Sequence, residues 1–213
     1  MTLTAPEVRS PGTLPRGFRP RGFPLVLSGP SGVGKTSVVS HLLARGGEIV
    51  FSVSATTRPR REGEAEGREY FYYDQERFEK GVASGEFVEH ASVHGRWYGT
   101  PKAPLEAALA LGKIVILDVD VQGGRSLRLA CPDGVFVFVY PPSLEALEAR
   151  LRGRATDAPQ VIAERLANAP GEMARYVEYD YVIVNDDLER ARAQMDAILV
   201  AERARMSRLA PRH

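Results

Sequence analysis

The stretch Pro24–Thr36 (PLVLSGPSGVGKT) constrains the fold of this chain more than any other. Pro24 to Ser28 is a short apolar run that reads as a buried strand, and Val38, Val39, Leu42 and Leu43 follow at helical spacing on one face. Between them lies Gly29-x-x-x-x-Gly34-Lys35-Thr36, the phosphate-loop pattern, in the strand-then-helix context that it requires. Glycines let the backbone wrap closely around phosphate oxygens with N–H groups pointing inward. A helix starting near Gly34 adds its positive dipole end. Lys35 supplies a point charge for the outer phosphates, and the Thr36 hydroxyl reaches a magnesium ion. The segment Gly29, Pro30, Ser31, Gly32, Val33, Gly34, Lys35, Thr36 is therefore expected to bind a nucleoside triphosphate.

A chain of 213 residues suits one α/β domain with insertions, or two small domains. Its net charge of +1 gives no general case for nucleic acid, so no DNA or RNA partner is expected. Cys131 is the single cysteine, which excludes an internal disulfide framework, fits a reducing compartment and reads as a packed core thiol. No apolar run approaches the ~18 residues of a membrane span, and the amino terminus lacks a secretory h-region. A cytoplasmic protein with no membrane partner is expected.

Residues 1–22 are rich in Pro, Gly and Arg and read as a flexible tail, in which Arg16, Arg19 and Arg21 either touch RNA or an acidic partner or, the favoured reading, are simply solvated. Gly46-Gly47 reads as a helix stop and Ile49–Ser54 as a second strand. Arg58, Arg60 and Arg61 follow at the end of that strand, where open α/β sheets place ligands. Two readings fit them: a second phosphate site, or a solvated charge run neutralised by Glu62, Glu64 and Glu66. Tyr70–Tyr73 reads as a strand, Asp74–Ser84 as a helix capped by Asp74, and Glu86–His94 as another strand. This segment interrupts the βα alternation and looks inserted. Its aromatics suit either a base-and-phosphate pocket or a small satellite core.

Pro104–Leu111 reads as a helix stopped at Gly112, and Lys113–Asp120 as an apolar strand ending in acids. Carboxylates there hold a magnesium hydration shell or a substrate amine. Gly134–Tyr140 reads as a further buried strand. A helix from Pro141-Pro142-Ser143 to Leu151 carries Leu144, Leu147 and Leu151 inward. The basic, glycine-bearing run Arg150–Asp157, before a helix carrying Arg165, reads as a lid. Pro170-Gly171 is expected to interrupt that helix, because an interior proline costs ~3 kcal/mol. Tyr181–Val184 reads as the last strand and Asn185-Asp186-Asp187 as the cap of a closing helix.

Several stretches resemble the guanylate kinase family: Ser28–Thr36, Phe51–Arg58, Gly67–Tyr70, Gly85–Glu89, Tyr98–Thr100, Ile116–Gly123 and Val182–Asp186. The phosphate loop alone is shared by many NTPases. The Ser, Arg, Arg, Tyr, Glu and Tyr-x-Thr series of the inserted segment makes the match specific. The resemblance implies an α/β P-loop NTPase with a parallel five-stranded core sheet flanked by helices, an inserted mixed α+β nucleotide segment and a short lid. It implies a tail over 1–22, a core over 23–54 and 101–213 with the lid at about 150–170, and a GMP-binding insertion over 55–100.

The implied activity is ATP-dependent, Mg2+-assisted phosphorylation of GMP, with dGMP, to GDP. Arg58, Arg61, Tyr70 and Tyr98 are implied to bind the GMP phosphate, and Ser54, Glu89, Thr100 and Asp118 the guanine. Guanine presents N1–H and N2–H to a carboxylate, whereas adenine offers a lone pair at N1, so Glu89 chemistry agrees with this assignment. Lys35, Arg61, Arg150, Arg154 and Arg165 are implied to act on the transferring phosphoryl group. Asn185 resembles the family's adenine contact and equally suits a helix cap. Thr36 is the metal ligand, and Asp120 acts through a metal-bound water. The implied partners are ATP and GMP, in a monomer or homodimer. Two other readings are a kinase-like binding module that does no chemistry and a kinase for another monophosphate. The intact loop argues against the first, and Glu89 with Thr100 and Ser54 against the second.

Overall fold

The structure, a computed structural model, describes residues 18–93, 95–153 and 159–211. The expectations placed on Arg16, on Arg154 and on Ala155 to Asp157 lie outside the described residues.

After β1 (Phe18–Pro20) the chain runs through β2 (Phe23–Ser28), α1 (Lys35–Ala44) and β3 (Ile49–Phe51). It then forms β4 (Ser54–Thr56), β5 (Tyr70–Tyr72), α2 (Gln75–Ala83), β6 (Phe87–Val93) and β7 (Arg96–Pro101). Next come α3 (Lys102–Ala110), β8 (Ile114–Asp118), α4 (Val121–Ala130) and β9 (Val135–Tyr140). The chain closes with α5 (Leu144–Gly153), α6 (Pro159–Met173), β10 (Tyr181–Val184), α7 (Leu188–Arg203) and β11 (Leu209–Pro211).

Five parallel strands form the core sheet in the order β10-β9-β2-β8-β3. The period-2 rule divides its side chains between two layers. Leu25 and Leu27 of β2 pack with Val38 and Leu42 of α1 and with Met195 and Leu199 of α7. Val26 points the other way, among Leu105 of α3 and Leu127 of α4. Burial on both faces explains why β2, β8 and β9 read as continuous apolar runs.

A second, four-stranded sheet has the order β5-β4-β7-β6. Here too alternation sorts the aromatics. Phe71, Tyr73 and Trp97 join Phe78 and Phe87 in a separate small core, with Phe78 and Phe87 stacked 4.7 Å apart. Tyr70 and Tyr98 instead line a cleft. A cleft wall and a satellite core therefore lie on opposite faces of one sheet.

Several expectations are corrected. Ile49–Ser54 is not one strand: after Phe51 the chain leaves the core sheet, and Ser54 opens β4 in the other sheet. The β8 strand ends at Asp118, and Asp120 caps an unforeseen helix, α4, accepting from the Gly123 amide at 2.8 Å. Phe18–Pro20, placed within the tail, pairs antiparallel with Leu209–Pro211. Leu43 and Leu144 are not core residues, each being 37% exposed. The α6 helix continues through Pro170 to Met173. Only one backbone bond is forfeited there, three residues before the helix ends, while buried Ile162 and Ala169 hold α6 against its neighbours.

The β1–β11 pair is clasped to the core at the end of the sheet away from the cleft. Arg208 Nε donates to Glu202 Oε2 at 2.9 Å, and Tyr181 Oη donates to Glu202 Oε1 at 2.6 Å. The Arg208 guanidinium also lies 4.2 Å from the Phe23 ring centroid and donates to the Asp133 carbonyl. Burial pushes the Glu202 carboxyl up, but hydrogen bonds from Tyr181, Arg208 and Arg205 outweigh it and hold the carboxyl below its ordinary range. A group lowered in this way stabilises the fold above its unfolded pKa and ceases to do so as pH falls. Arg208→Ala leaves a buried carboxylate short of its main cation, and urea unfolding near pH 7 is expected to show a loss of about 3 kcal/mol. A loss below ~0.5 kcal/mol would show that the clasp contributes nothing.

Candidate active site

The carboxyl ends of β2 and β8 open onto a cleft of about 310 Å³. Its walls carry Gly29, Ser31, Gly32, Val33, Gly34, Lys35 and Thr36 from the loop. Parallel pairing places Leu27 beside Asp118, one residue short of the strand end. That register brings Lys35 Nζ to 3.9 Å from Asp118 Oδ1, while Nζ also donates to the Gly29 carbonyl at 2.9 Å. Two glycines have no substitute here. Gly29 has φ 140°, and a Cβ on it would stand 2.3 Å from the Val139 carbonyl oxygen. Gly34 has φ 102°, and its Cβ would meet Asn185 Nδ2 at 2.3 Å.

The loop is held from behind. The Val33 carbonyl accepts from Asn185 Nδ2 at 2.7 Å and from Arg150 Nη1 at 3.1 Å. Arg150 Nη2 also donates to the Asn185 carbonyl at 2.7 Å. Arg150, expected to act from the lid, belongs to α5 and grips the loop's outer side; it is not part of the cleft wall. Asn185 is buried and committed to Val33, and Asp187 caps α7 by accepting from the Arg190 amide, so the cap reading of Asn185 is corrected.

The opposite wall comes from the second sheet. Ser54 opens β4, Tyr70 opens β5, and Glu89 and Tyr98 stand on β6 and β7. Glu89 is 8% exposed, and its Oε1 accepts from the Thr100 hydroxyl at 2.7 Å. Burial pushes the Glu89 carboxyl above the ordinary carboxylate range, against the hydrogen bond from Thr100. Asp118 is also raised by burial, with Lys35 opposing the shift. Tyr70 and Tyr98 meet edge to face at 5.8 Å. Burial lifts the Tyr70 phenol to about 12, so it remains a neutral donor at physiological pH. The Arg58 guanidinium lies 5.2 Å from the Tyr70 ring centroid. Arg61 is exposed, with its backbone N–H donating to Glu64. Asp120 and Arg165 line the cleft, whereas Pro30, Arg58, Arg61, Thr100, Arg150 and Asn185 stand behind or beside it.

Ala91, Val93, Val119, Gly123 and Glu172 also line the cleft and were missed in the sequence. Gly123 is the informative one. A Cβ there would come within 3.3 Å of Glu89 Oε2, so its bare backbone leaves space beside the carboxylate. The acid-to-amide spacing of Asp120 and Gly123 at a helix start was the available signal.

Three comparisons agree. The family model described as guanylate kinase matches residues 21–202. A guanylate kinase of Symbiobacterium thermophilum is 50% identical over 190 residues, covering 89% of this chain and 90% of that protein. One from Carboxydothermus hydrogenoformans is 45% identical over 189 residues, covering 89% and 93%. Among solved structures, guanylate kinase from Anaplasma phagocytophilum superposes with a TM-score of 0.74 at 36% identity, covering 91% of this chain and 92% of that one.

Keeping Glu89 ionised in a buried position carries a stability cost. Its folded pKa is raised, so the folded state binds more protons than the unfolded one between the two pKa values, and stability falls as pH rises through that window. Glu89→Gln removes the charge while keeping the shape. It is expected to raise the melting temperature near pH 7, with the gain shrinking as pH approaches the unfolded carboxylate pKa of about 4.3. An unchanged or lowered melting temperature at neutral pH contradicts this.

Proposed function

This chain belongs to the guanylate kinase family and phosphorylates GMP to GDP with ATP, and we propose that the loop wall holds MgATP while the second sheet holds GMP. The observation that carries this reading is the buried Glu89 carboxylate, fixed by Thr100 and facing the same cleft as Lys35. Glu89 accepts guanine N1–H and N2–H, and the hydroxyls of Ser54 and Thr100 and the Asp118 carboxylate complete the base site. A site built on such bonds rejects an analogue lacking them by roughly 10⁴-fold. Arg58, Arg61, Tyr70 and Tyr98 hold the GMP phosphate.

The nucleophile is an oxygen of that phosphate, already largely ionised near pH 7 because its second pKa is about 6. No general base is needed. Catalysis then rests on alignment and on cations placed around the transferring phosphoryl group. Lys35 acts from the loop, and Arg61 and Arg165 from the facing side; Arg154, outside the described residues, keeps the role on the transferring phosphoryl group that the resemblance implies. Arg150 contributes through Val33, by fixing the loop. Asn185 closes the adenine end, acting through the same carbonyl.

The cleft suits a magnesium ion. Among the described residues no group of three or more His, Cys, Asp or Glu side chains could hold a metal by itself. The cleft instead offers the Thr36 hydroxyl with Asp118 and Asp120 nearby. Sparse protein ligation fits Mg2+, which keeps several waters and takes the rest of its shell from phosphate oxygens. Thr36 would be its direct ligand and Asp120 would hold a bound water. When bound, the ion neutralises charge on the outer phosphates. Among the described residues no helix is long and apolar enough to cross a membrane. A cytoplasmic location accords with nucleotide substrates, and dGMP is included among the acceptors.

An ADP-release assay with ATP, magnesium and each nucleoside monophosphate tests the assignment. GMP is expected to outpace AMP, UMP and CMP by at least 10³-fold in kcat/KM. Faster turnover of AMP or UMP would overturn the base site. Glu89→Gln is expected to cut kcat/KM for GMP by about 100-fold or more with the KM for MgATP unchanged; equal loss on both substrates contradicts the role. Lys35→Met is expected to lower kcat by about 10²–10³ while GMP affinity is kept. Near-normal turnover in that variant would contradict the reading of the loop.

A further inference from the structure

Glu64 lies on the loop between β4 and β5, in the acidic run that the sequence presents as plain counter-charge. Its carboxylate collects four hydrogen bonds. Arg58 Nη2 donates to both oxygens, at 2.8 and 3.0 Å, and the Tyr72 hydroxyl and the Arg61 backbone N–H each donate to Oε2 at 2.8 Å. The pair is well shielded, Arg58 being 13% and Glu64 17% exposed in their side chains. Hydrogen bonding from Arg58, with further bonds from Arg61 and Tyr72, lowers the Glu64 carboxyl to about 2, so it stays ionised throughout the working pH range.

These bonds set the orientation of a residue read above as a ligand of the GMP phosphate. A guanidinium has five N–H donors in one plane. In Arg58, Nη2 is spent on Glu64 and one Nη1 hydrogen on the Pro59 carbonyl at 2.8 Å, while the plane rests near the rings of Tyr70 and Tyr72. The Nε hydrogen and the second Nη1 hydrogen are left for an oxyanion. Without Glu64 the long side chain would have to be ordered by the phosphate itself, at the entropic cost of fixing several rotamers.

We infer that Glu64 is a positioning residue for the acceptor phosphate: it locks Arg58, the Arg61 backbone and Tyr72 into one frame before GMP arrives. The inference rests on reading Arg58 as a ligand of the GMP phosphate. The opposite effect is physically available, because a carboxylate that merely competes for Arg58 would weaken GMP binding, and its removal would tighten it.

The two are separated by titration calorimetry of the whole enzyme with GMP and with guanosine, alongside kinetics, for wild type, Glu64→Gln, Arg58→Ala and the double variant. Positioning predicts that Glu64→Gln raises the Kd and KM for GMP about ten-fold, the loss of roughly one charged hydrogen bond. Guanosine, which lacks the phosphate, and MgATP should bind within two-fold of wild type, which also reports an intact fold. In the Arg58→Ala background the cost of Glu64→Gln should shrink to what it contributes through Arg61, well below its cost in the wild type. Unchanged or tighter GMP binding in Glu64→Gln overturns the positioning role, and so does a parallel loss of guanosine affinity, which would mark a general structural effect. If Arg58→Ala itself leaves GMP affinity unchanged, the phosphate assignment of Arg58 falls and the inference with it. A loss in Arg58→Ala with Glu64→Gln silent overturns Glu64 alone.

Discussion

The loop half of the cleft depends on the carbonyl of Val33. A glycine-rich loop is costly to order, at about 1–2 kcal/mol per residue fixed, and its own side chains can do little to hold it. Here the order is imposed from outside, by Asn185 on the β10–α7 turn and by Arg150 on α5, both donating to that one oxygen. The two donors are themselves joined, since Arg150 also holds the Asn185 carbonyl. The same closeness explains the glycine at 34, where any side chain would collide with Asn185. Two distant segments of the chain thus fix a single loop shape, and an electrostatic site of this kind works because its dipoles need no rearrangement when charge develops.

The half built on the second sheet is tied to the loop half by sheet register and by α4. Pairing of β2 with β8 brings Asp118 beside the loop and within 3.9 Å of Lys35. The start of α4 then packs against β6 through Gly123, which leaves room for Glu89 Oε2. Selectivity has a stability cost at this point. A carboxylate 8% exposed, supported by Thr100 and facing the charge of Asp120, is poorly compensated, and its raised pKa records that. On the function proposed above, two N–H donors on a bound guanine would supply what the protein withholds, so that the same group would both destabilise the free enzyme and recognise the base.

Much of this was legible in the sequence, for identifiable reasons. Phosphate-loop chemistry needs residue types in a fixed order, and the fully buried strands β2, β8 and β9 can only be written as apolar runs. Features with no period of their own were not legible. The α4 helix carries Gly123 and Gly124 where apolar residues would have marked its inner face. The β1–β11 pair is three residues long on each side, contains proline and arginine, and depends on a contact between the two ends of the chain. The break between Phe51 and Ser54 is a change of sheet, which alternation within one strand cannot announce. Glu64 was visible only as a charge, because its role lies in the direction it gives to Arg58. Arg150 was placed in the lid by its basic neighbours, whereas its helical position turns it back onto the loop.

The central claim is that two nucleotides meet end to end in one cleft, with Lys35 between them. Its most direct test is the affinity of a single molecule carrying adenosine and guanosine joined through a chain of five phosphates, measured by calorimetry with magnesium present. If both halves of the cleft are engaged at once, this compound should bind about 10²–10⁴-fold more tightly than either ATP or GMP alone, and should exclude both. An affinity no better than that of ATP, with GMP still binding alongside, would show that the two sites do not share a line and would contradict the account.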